Sequence, residues 1–322
     1  MSGVRSSVRV FAPASVANLG VGFDALGAAL DQAGDVVVAR RSRRRGVRVV
    51  SIEGDDGRLP LDPERNTASV AARGVLEMAR AGGSAVAGID LEIVKGLPLE
   101  SGMGSSAASA AAGGFATAAL LGIRDRRKIL LPVLEGENAA DGSWHGDNVF
   151  ASLLGGLVLV PSSRPEWPLR PISLPFPDRL RLVLVHPDFS LKTSESRKVL
   201  PREILLGTHV RQAAALALLV AALAAGDLKG AGRAIDSDSV VDPARAPLIP
   251  AYHAVTRAMR KAGAFGCAIA GAGPSLLALS EEGPKAAAIA KAAVAAWKAE
   301  GIRATGAVHR IDPLGAREVP LP

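Results

Sequence analysis

The sequence predicts a mixed α and β protein in which apolar strands alternate with alanine-rich helices. Apolar residues make up 48% of the 322 residues, which suffices for a sizeable core and leaves length for two domains. Short alternating apolar runs, such as residues 89–94, predict strands, whereas the long alanine-rich run at 284–301 predicts a helix. Three glycine-rich loops separate these elements and carry the strongest functional signal.

The most informative loop lies in residues 95–117, with the sequence KGLPLESGMGSSAASAAAGGFAT. Gly102 and Gly104 permit positive φ, and Ser105 and Ser106 stand in the first turn of the predicted helix, where free N–H groups attract an anion. The Walker and Rossmann patterns do not fit, because the lysine and the third glycine are missing. We interpret this segment as a phosphate-binding loop in which bound Mg²⁺ supplies the positive charge. The alternative is a structural turn before a core helix.

Charge and cysteine content narrow the class of protein. One cysteine, Cys267, excludes an internal disulfide and is typical of a reducing compartment; with no signal-peptide or membrane-like run read from the sequence, we expect a cytoplasmic protein. The net charge of +7 comes largely from arginines at 40–48, which we interpret as a solvated hairpin tip. Because aromatic residues are only 3%, the sequence disfavours nucleic-acid binding.

The first third of the chain predicts strands around a second glycine loop. Residues 8–11 predict a strand, and residues 12–30 predict a bend and a loop in which Asn18 and Asp24 grip a polar substrate or cap a tight turn. Residues 36–40 and 47–52 predict paired strands, and residues 67–80 a helix capped by the preceding segment. Residues 89–94 then lead into the phosphate loop, with Lys95 expected to end the strand in solvent.

A second polar cluster follows the predicted helix 124–138. Glu137 offers hard oxygen ligands to Mg²⁺, and His145 and Asn148 offer hydrogen bonds to a substrate. The alternative is a capping loop with exposed charges. Scattered histidines and a distant cysteine disfavour zinc.

The last half predicts a second layer of strands and helices. We expect a strand at 153–160, a connection at 162–177, a polar loop at 192–198, a loop carrying Arg245 at 241–250 and a third glycine loop at 271–275. The remaining expected strands are 180–186, 264–272, 276–280 and 304–309, and the remaining helices are 210–225, 228–235, 252–262 and 284–301.

The three glycine loops together resemble those of the GHMP family of small-molecule kinases. The matching segments are APASVANLGVGFDALG, GLPLESGMGSSAASAA and AGAGPSLLAL, and the segments NLGVGFD, HGDN, TSESRKVLP and VVDPARAPLIPAY are similar to the homoserine kinases within it. The resemblance implies an α+β, two-domain GHMP kinase fold. Residues 1–165 would form a mixed-sheet ATP-binding domain and residues 166–322 a ferredoxin-like α/β layer domain, with the active site between them.

The resemblance also implies substrates and residues. The substrates would be ATP and L-homoserine, phosphorylated on its side-chain hydroxyl on the route to threonine, with Mg²⁺ as cofactor. The implied catalytic residues are Asn18, Asn148, Asp147 and Arg197, and the implied substrate-binding residues are Asn18, Asp24, His145, Asn148, Arg197 and Arg245. The implied ATP-binding residues are Asn66, Pro98, Ser101, Gly102, Met103, Gly104, Ser105, Ser106 and Ala107, and the metal ligands are Glu137 and Ser105.

Two positions depart from the family pattern, and two alternatives stay open. Glu100 and Asp141 stand where smaller residues are usual, and Glu100 is expected to point outward. Another small alcohol is the alternative substrate, and a catalytically silent ligand-binding protein is the alternative class. The resemblance further implies a homodimer, and from composition we expect neither nucleic acid nor a membrane as partner.

Overall fold

A computed structural model describes residues 5–321, apart from the side chain of Asp141. It contains two β-sheets with helices packed around them. The strands are β1 (Ser7–Asn18), β2 (Gly22–Ser42), β3 (Gly46–Glu53), β4 (Gly88–Val94), β5 (Leu157–Leu159), β6 (Ile172–Leu174), β7 (Leu180–Pro187), β8 (Gly266–Ile269), β9 (Leu276–Glu281), β10 (Ala304–His309) and β11 (Arg317–Glu318). The helices are α1 (Thr67–Ala81), α2 (Ser105–Leu120), α3 (Leu130–Asp141), α4 (Gly146–Leu154), α5 (Thr193–Lys198), α6 (Leu206–Ala225), α7 (Leu228–Asp236), α8 (Val241–Arg245), α9 (Tyr252–Lys261) and α10 (Pro284–Ala299).

The first sheet has the order β11-β1-β2-β4-β3, and β5 and β6 extend it from β2. The predicted pairing of residues 36–40 with 47–52 is wrong, because β4 lies between these two segments. β4 runs antiparallel to β2 and parallel to β3. The arginine-rich turn therefore bridges two strands that are not neighbours, although its arginines at 43–45 lie in the turn between β2 and β3, as predicted.

Helix α2 runs through the core of this half, which explains its small residues. A Cβ on Gly113 would lie 2.5 Å from the carbonyl oxygen of Ala68 in α1, and one on Gly114 would lie 2.5 Å from Val133 in α3. Alanine and glycine at these positions therefore allow α1 and α3 to pack directly on α2.

The second sheet is antiparallel, with the order β10-β7-β9-β8, as in a ferredoxin-like βαββαβ arrangement. Side chains alternate along β7. Leu182 and Leu184 pack in the cluster that includes α6, α7 and the hairpin β1–β2, whereas Val183 and Val185 pack against α9 and α10. One core is thus shared between the two halves of the molecule. The structure confirms the α+β class and the predicted ferredoxin-like layer.

Several local predictions need correction. The predicted bend is a register shift within β1, between Pro13 and Ser15, and the glycine loop predicted at residues 18–24 is reduced to a turn at residues 19–21, because Asn18 ends β1 and Asp24 lies in β2. Residues 153–154 end α4, so the strand predicted at 153–160 is reduced to β5. The polar segment 193–198 and the start of the Arg245 loop are short helices, α5 and α8. By contrast, α1, β4, α10 and β10 begin and end close to their predicted bounds.

The two-domain division at residues 165 and 166 stays a proposal. Strand β6 and the C-terminal strand β11 lie beyond this boundary in sequence and pair within the first sheet, so the chain crosses back at its end.

Helix α6 is long and apolar enough to cross a membrane by length and composition alone, yet few of its residues are buried. Leu206 and Val210 are among its exposed apolar side chains.

Candidate active site

A cavity of about 580 Å³ lies between the two halves and receives residues from all three glycine loops. Most of the predicted site residues line it, namely Asn18, Asp24, Asn66, Ser101, Gly102, Gly104, Ser105, Ser106, Glu137, His145, Asp147, Asn148, Arg197 and Arg245. Pro98, Met103 and Ala107 do not. Pro98 lines a smaller neighbouring cavity, Met103 packs against the shared core, and Ala107 is fully buried in the first core.

The predicted phosphate loop connects β4 to α2, and its glycines are sterically required. Gly102 and Gly104 have φ values of 76° and 65°. A Cβ on Gly104 would lie 2.2 Å from Ser15 Oγ, and one on Gly102 would lie 2.5 Å from the carbonyl oxygen of Ala270. No side chain caps the start of α2 among the described residues, so its first amides remain free to bind an anion.

Lys95 does not end β4 in solvent, contrary to the prediction. Its ammonium group is buried and donates to Asp35, to the carbonyl oxygen of Ser105 and to Ser109 Oγ. Asp35 also accepts from the backbone N–H of Gly96. This ion pair therefore fastens the first turn of α2 to strand β2 and to the start of the phosphate loop.

Glu137 lies opposite the start of α2, with one carboxylate oxygen occupied and the other free of partners among the described residues. Ser106 Oγ donates to Oε1 at 3.0 Å, and His145 Nδ1 lies 3.3 Å from the same oxygen. Burial works against the charged form of His145, but the hydrogen bond and charge of Glu137, aided by Asp147, raise its pKa overall. Within the described residues, Glu137 Oε2 and Ser105 Oγ are buried without a hydrogen-bond partner.

Asp147 and Asn148 lie in the first turn of α4, which the HGDN segment opens. Burial, with a smaller contribution from the nearby charge of Asp24, raises the pKa of Asp147 to about 7. Asn148 Oδ1 accepts a hydrogen bond of 3.0 Å from Ser15 Oγ. Gly27 is needed here, because a Cβ would lie 1.9 Å from the carbonyl oxygen of Asp147.

At the other end of the cavity, Asp24 and Arg197 form a forked ion pair. The two guanidinium nitrogens of Arg197 donate to the two carboxylate oxygens at 3.1 and 2.8 Å. Arg197 Nε is buried and unpartnered within residues 5–321. Arg245 is almost fully buried, and burial together with the nearby charge of Arg197 lowers its pKa. The ring of Phe23 lies 5.6 Å from the Arg197 guanidinium carbon and 5.2 Å from that of Arg245.

Asn18 and Asn66 use their side chains within the protein. Asn18 Nδ2 donates to the carbonyl oxygen of Gly271, and its Oδ1 accepts from the backbone N–H of Asp24. Asn66 is the N-cap of α1, where its Oδ1 accepts from the backbone N–H groups of Ala68 and Ser69. Both asparagines therefore shape the walls of the cavity.

Sequence reasoning missed three contributors to this site. Ser15 holds the phosphate loop, because its backbone N–H donates to the carbonyl oxygen of Met103. Phe23 supports both arginines, and the carbonyl oxygen of Gly271 accepts from Arg245 as well as from Asn18. Ser15 and Phe23 lie inside the first glycine motif and Gly271 lies in the third. The motifs therefore located these residues, but the sequence did not indicate which groups they contact.

The two positions that depart from the family pattern lie at or near the cavity. Glu100 is exposed but lines the cavity rather than pointing away from it, and it pairs with Arg58 at 3.4 Å. Asp141 ends helix α3, and its side chain lies outside what the structure describes.

Comparison with known proteins agrees with this geometry. The family model described as GHMP kinases N terminal domain matches residues 66–156, and the model described as GHMP kinases C terminal matches residues 219–299. The chain is 45% identical to a homoserine kinase of Chlorobium phaeovibrioides, over 85% of this chain and 87% of the relative. It is 42% identical to a homoserine kinase of Arabidopsis thaliana, over 97% of this chain and 85% of the relative.

A solved structure shows the same fold throughout. The crystal structure of a homoserine kinase from Cytophaga hutchinsonii superposes with a TM-score of 0.92 at 41% identity, covering 99% of each chain. With motifs, topology and cavity in agreement, the chain belongs to the GHMP kinases and, among them, to the homoserine kinase family.

Proposed function

We propose that this protein transfers the γ-phosphoryl group of ATP to the side-chain hydroxyl of L-homoserine, giving O-phospho-L-homoserine and ADP on the route to threonine. The observation that carries the proposal is the pairing, in one cavity, of an uncapped helix start with a forked carboxylate–arginine pair. The first suits an anionic phosphate, and the second suits an amino acid that carries both charges.

The amino-acid end of the cavity is formed by Asp24, Arg197 and Arg245. Asp24 and Arg197 neutralise each other in this structure. A bound zwitterion replaces both halves of this pair, because its ammonium group suits Asp24 and its carboxylate suits the arginines. Arg197 Nε, which has no partner in the described part of the chain, offers a further donor to the carboxylate. A sugar or an isoprenoid acid has no ammonium group for Asp24, so this end of the cavity favours an amino acid.

The hydroxyl end is formed by Asn18, Asn148, Asp147 and His145. Phosphoryl transfer through a loose transition state depends on alignment and charge stabilisation more than on a strong base. We therefore propose that Asn18 or Asn148 orients the hydroxyl toward the phosphate and that no dedicated base is needed. Asp147 is the base in the competing mechanism, and its pKa of about 7 leaves it partly protonated at neutral pH.

The residues present fit a magnesium ion. Glu137 Oε2 and Ser105 Oγ are buried oxygens that lack a partner within the described part of the chain, and Mg²⁺ prefers hard oxygen ligands shared with phosphates. Ser106 and His145 fix the carboxylate through its other oxygen. When bound, Mg²⁺ neutralises charge on the ATP phosphates, while the amides of α2 and the glycines of the loop hold them. Asn66 is proposed to lie near the adenine.

We also propose a cytoplasmic homodimer whose only substrates are small molecules. The dimer rests on the family resemblance, and the exposed apolar side chains of α6 are the proposed contact between the copies. A buried contact of this kind accounts for an apolar helix that is largely exposed in the single chain.

The first experiment measures ADP release with ATP and Mg²⁺ against L-homoserine, D-homoserine, L-serine, mevalonate and galactose. Strong preference for L-homoserine supports the proposal. Turnover of another alcohol alone would keep the kinase and reject the substrate pocket. ATP binding without turnover of any compound would favour a catalytically silent ligand-binding protein.

The variant Asp24→Asn tests the substrate pocket within the same assay. We expect KM for L-homoserine to rise at least about tenfold, the cost of one charge-assisted contact, with KM for ATP unchanged. Asp31→Asn is the matched control, because Asp31 pairs with Arg310 outside the cavity.

A further inference from the structure

The third glycine loop ends in a serine that contacts the phosphate loop from the second sheet. Ser275 immediately precedes strand β9 and is fully buried. Its hydroxyl donates to the carbonyl oxygen of Ser101 at 2.5 Å. Ser101 directly precedes Gly102, so this hydrogen bond fixes the backbone at the point where the phosphate loop turns.

The same hydroxyl has a second partner, and counting protons assigns the direction of each bond. His186 Nδ1 lies 3.0 Å from Ser275 Oγ. A hydroxyl has one proton, and the carbonyl oxygen of Ser101 can only accept. The proton of Ser275 therefore points to Ser101, and His186 must donate from a protonated Nδ1. The result is an ordered chain from strand β7, through Ser275, to the phosphate loop.

The surrounding backbone shows how closely the two loops are packed. A Cβ on Gly102 would lie 2.5 Å from the carbonyl oxygen of Ala270 and 2.9 Å from that of Gly273. From the other side, the backbone N–H of Ser15 donates to the carbonyl oxygen of Met103. The phosphate loop is thus held at Met103 by the first sheet and at Ser101 by the second.

We propose that Ser275 and His186 are positioning residues for ATP: they hold the phosphate loop in its anion-binding conformation without touching the nucleotide. Neither side chain lines the large cavity; His186 lines the smaller one beside it. The inference deepens the proposed function and rests on ATP being bound by this loop.

The first test compares Ser275→Ala with Ser280→Ala by direct titration of ATP·Mg²⁺ and by steady-state kinetics. Ser280 is the matched control, because it is buried within strand β9, which Ser275 precedes, and its hydroxyl bonds, among the described residues, only to the carbonyl oxygen of Glu281. Loss of one buried hydrogen bond that fixes the loop should raise the dissociation constant and KM for ATP roughly tenfold. KM for L-homoserine should stay at the wild-type value in both variants. The melting temperature of Ser280→Ala should also match that of the wild type.

A second pair of variants keeps the proposal testable if Ser275→Ala does not fold. In His186→Asn the amide N–H stands near the place of Nδ1 and restores the donor, whereas in His186→Ala the donor is lost. We expect ATP affinity to fall in the alanine variant and to recover in the asparagine variant. Nitrogen-15 NMR of the wild type should show His186 protonated on Nδ1.

The outcomes separate this inference from the function on which it rests. If the wild type binds no ATP, the proposed function fails. If the wild type binds ATP and both Ser275→Ala and His186→Ala bind it equally well, the positioning role is wrong while the kinase stands. A uniform loss of affinity for ATP and L-homoserine would indicate a general structural role and would also reject it.

Discussion

Replacing Lys95 by methionine removes the cation of a buried ion pair beside the phosphate loop. The side chains of Lys95 and Asp35 are 1% and 0% exposed, so neither charge has water as an alternative partner. Methionine keeps the apolar length of lysine and leaves the Asp35 carboxylate with the hydroxyl of Ser109 and the backbone N–H of Gly96. Breaking a buried pair from one side costs about 3–5 kcal/mol, and we expect Lys95→Met to lose that much unfolding free energy.

The double variant separates the energy of the Lys95–Asp35 interaction from the effect of replacing each side chain alone. Asp35→Asn keeps an oxygen for the Gly96 N–H and removes the charge that Lys95 had balanced. Combined with Lys95→Met, it leaves no unpaired charge, so the double variant should be more stable than Lys95→Met alone. The two substitutions should therefore be non-additive by roughly 2 kcal/mol or more, in the stabilising direction.

Urea unfolding at neutral pH measures both quantities, with Arg40→Met as the control. Arg40 pairs with Glu92 on the neighbouring strand, but the two side chains are 46% and 38% exposed. Its loss should cost about 0–1 kcal/mol. Because Lys95 also holds the carbonyl oxygen of Ser105, KM for ATP should rise in Lys95→Met. A cost below about 1 kcal/mol, or strict additivity in the double variant, would refute the reasoning.

Three further predictions concern the base, the pH dependence and the dimer. Asp147→Asn should reduce kcat less than about tenfold if no base is needed, and a loss of several orders of magnitude in the ADP-release assay would establish Asp147 as the base. Burial and the nearby charge of Asp238 raise the pKa of Asp242 to about 7. The protonated carboxyl group of Asp242 therefore stabilises the folded state fully below about pH 4, and this contribution is lost as the pH rises through about 7. Asp242→Asn should therefore flatten the fall in melting temperature between about pH 4 and 8, and an unchanged slope would contradict this assignment. If the proposed dimer forms through α6, Leu206→Asp combined with Val210→Asp should give a monomer in light scattering with unchanged melting temperature, and a mass equal to that of the wild-type dimer would reject α6 as the interface.

The conformation of the predicted phosphate loop could be predicted from the sequence because its physical requirement is local. Positive φ at Gly102 and Gly104 and a helix that begins at Ser105 all lie within a few residues. The proximity of Glu137 and His145 could also be predicted from the sequence, since Glu137 lies near the end of α3 and His145 directly precedes α4.

The errors arose where partners are distant in sequence. Lys95 follows an apolar strand, and no neighbouring residue indicates that it pairs with Asp35, sixty positions earlier. That meeting depends on β4 inserting between β2 and β3, which a short arginine-rich connection does not suggest. The short helices α5 and α8 were also missed, because five or six residues give too little periodicity to predict a helix.

The distribution of satisfied and free polar atoms gives the strongest support for a two-substrate site. Asn18, Asn66 and Asn148 each use side-chain atoms on neighbouring protein groups, so they act first as fixed walls. The buried atoms left without a partner in the described part of the cavity fall into two sets: Glu137 Oε2 and Ser105 Oγ beside the phosphate loop, and Arg197 Nε beside Asp24. Burying a polar atom unpaired costs free energy that a bound ligand can return. One set calls for a cation with phosphate and the other for a carboxylate, which are the groups that a kinase of amino-acid alcohols must bring together.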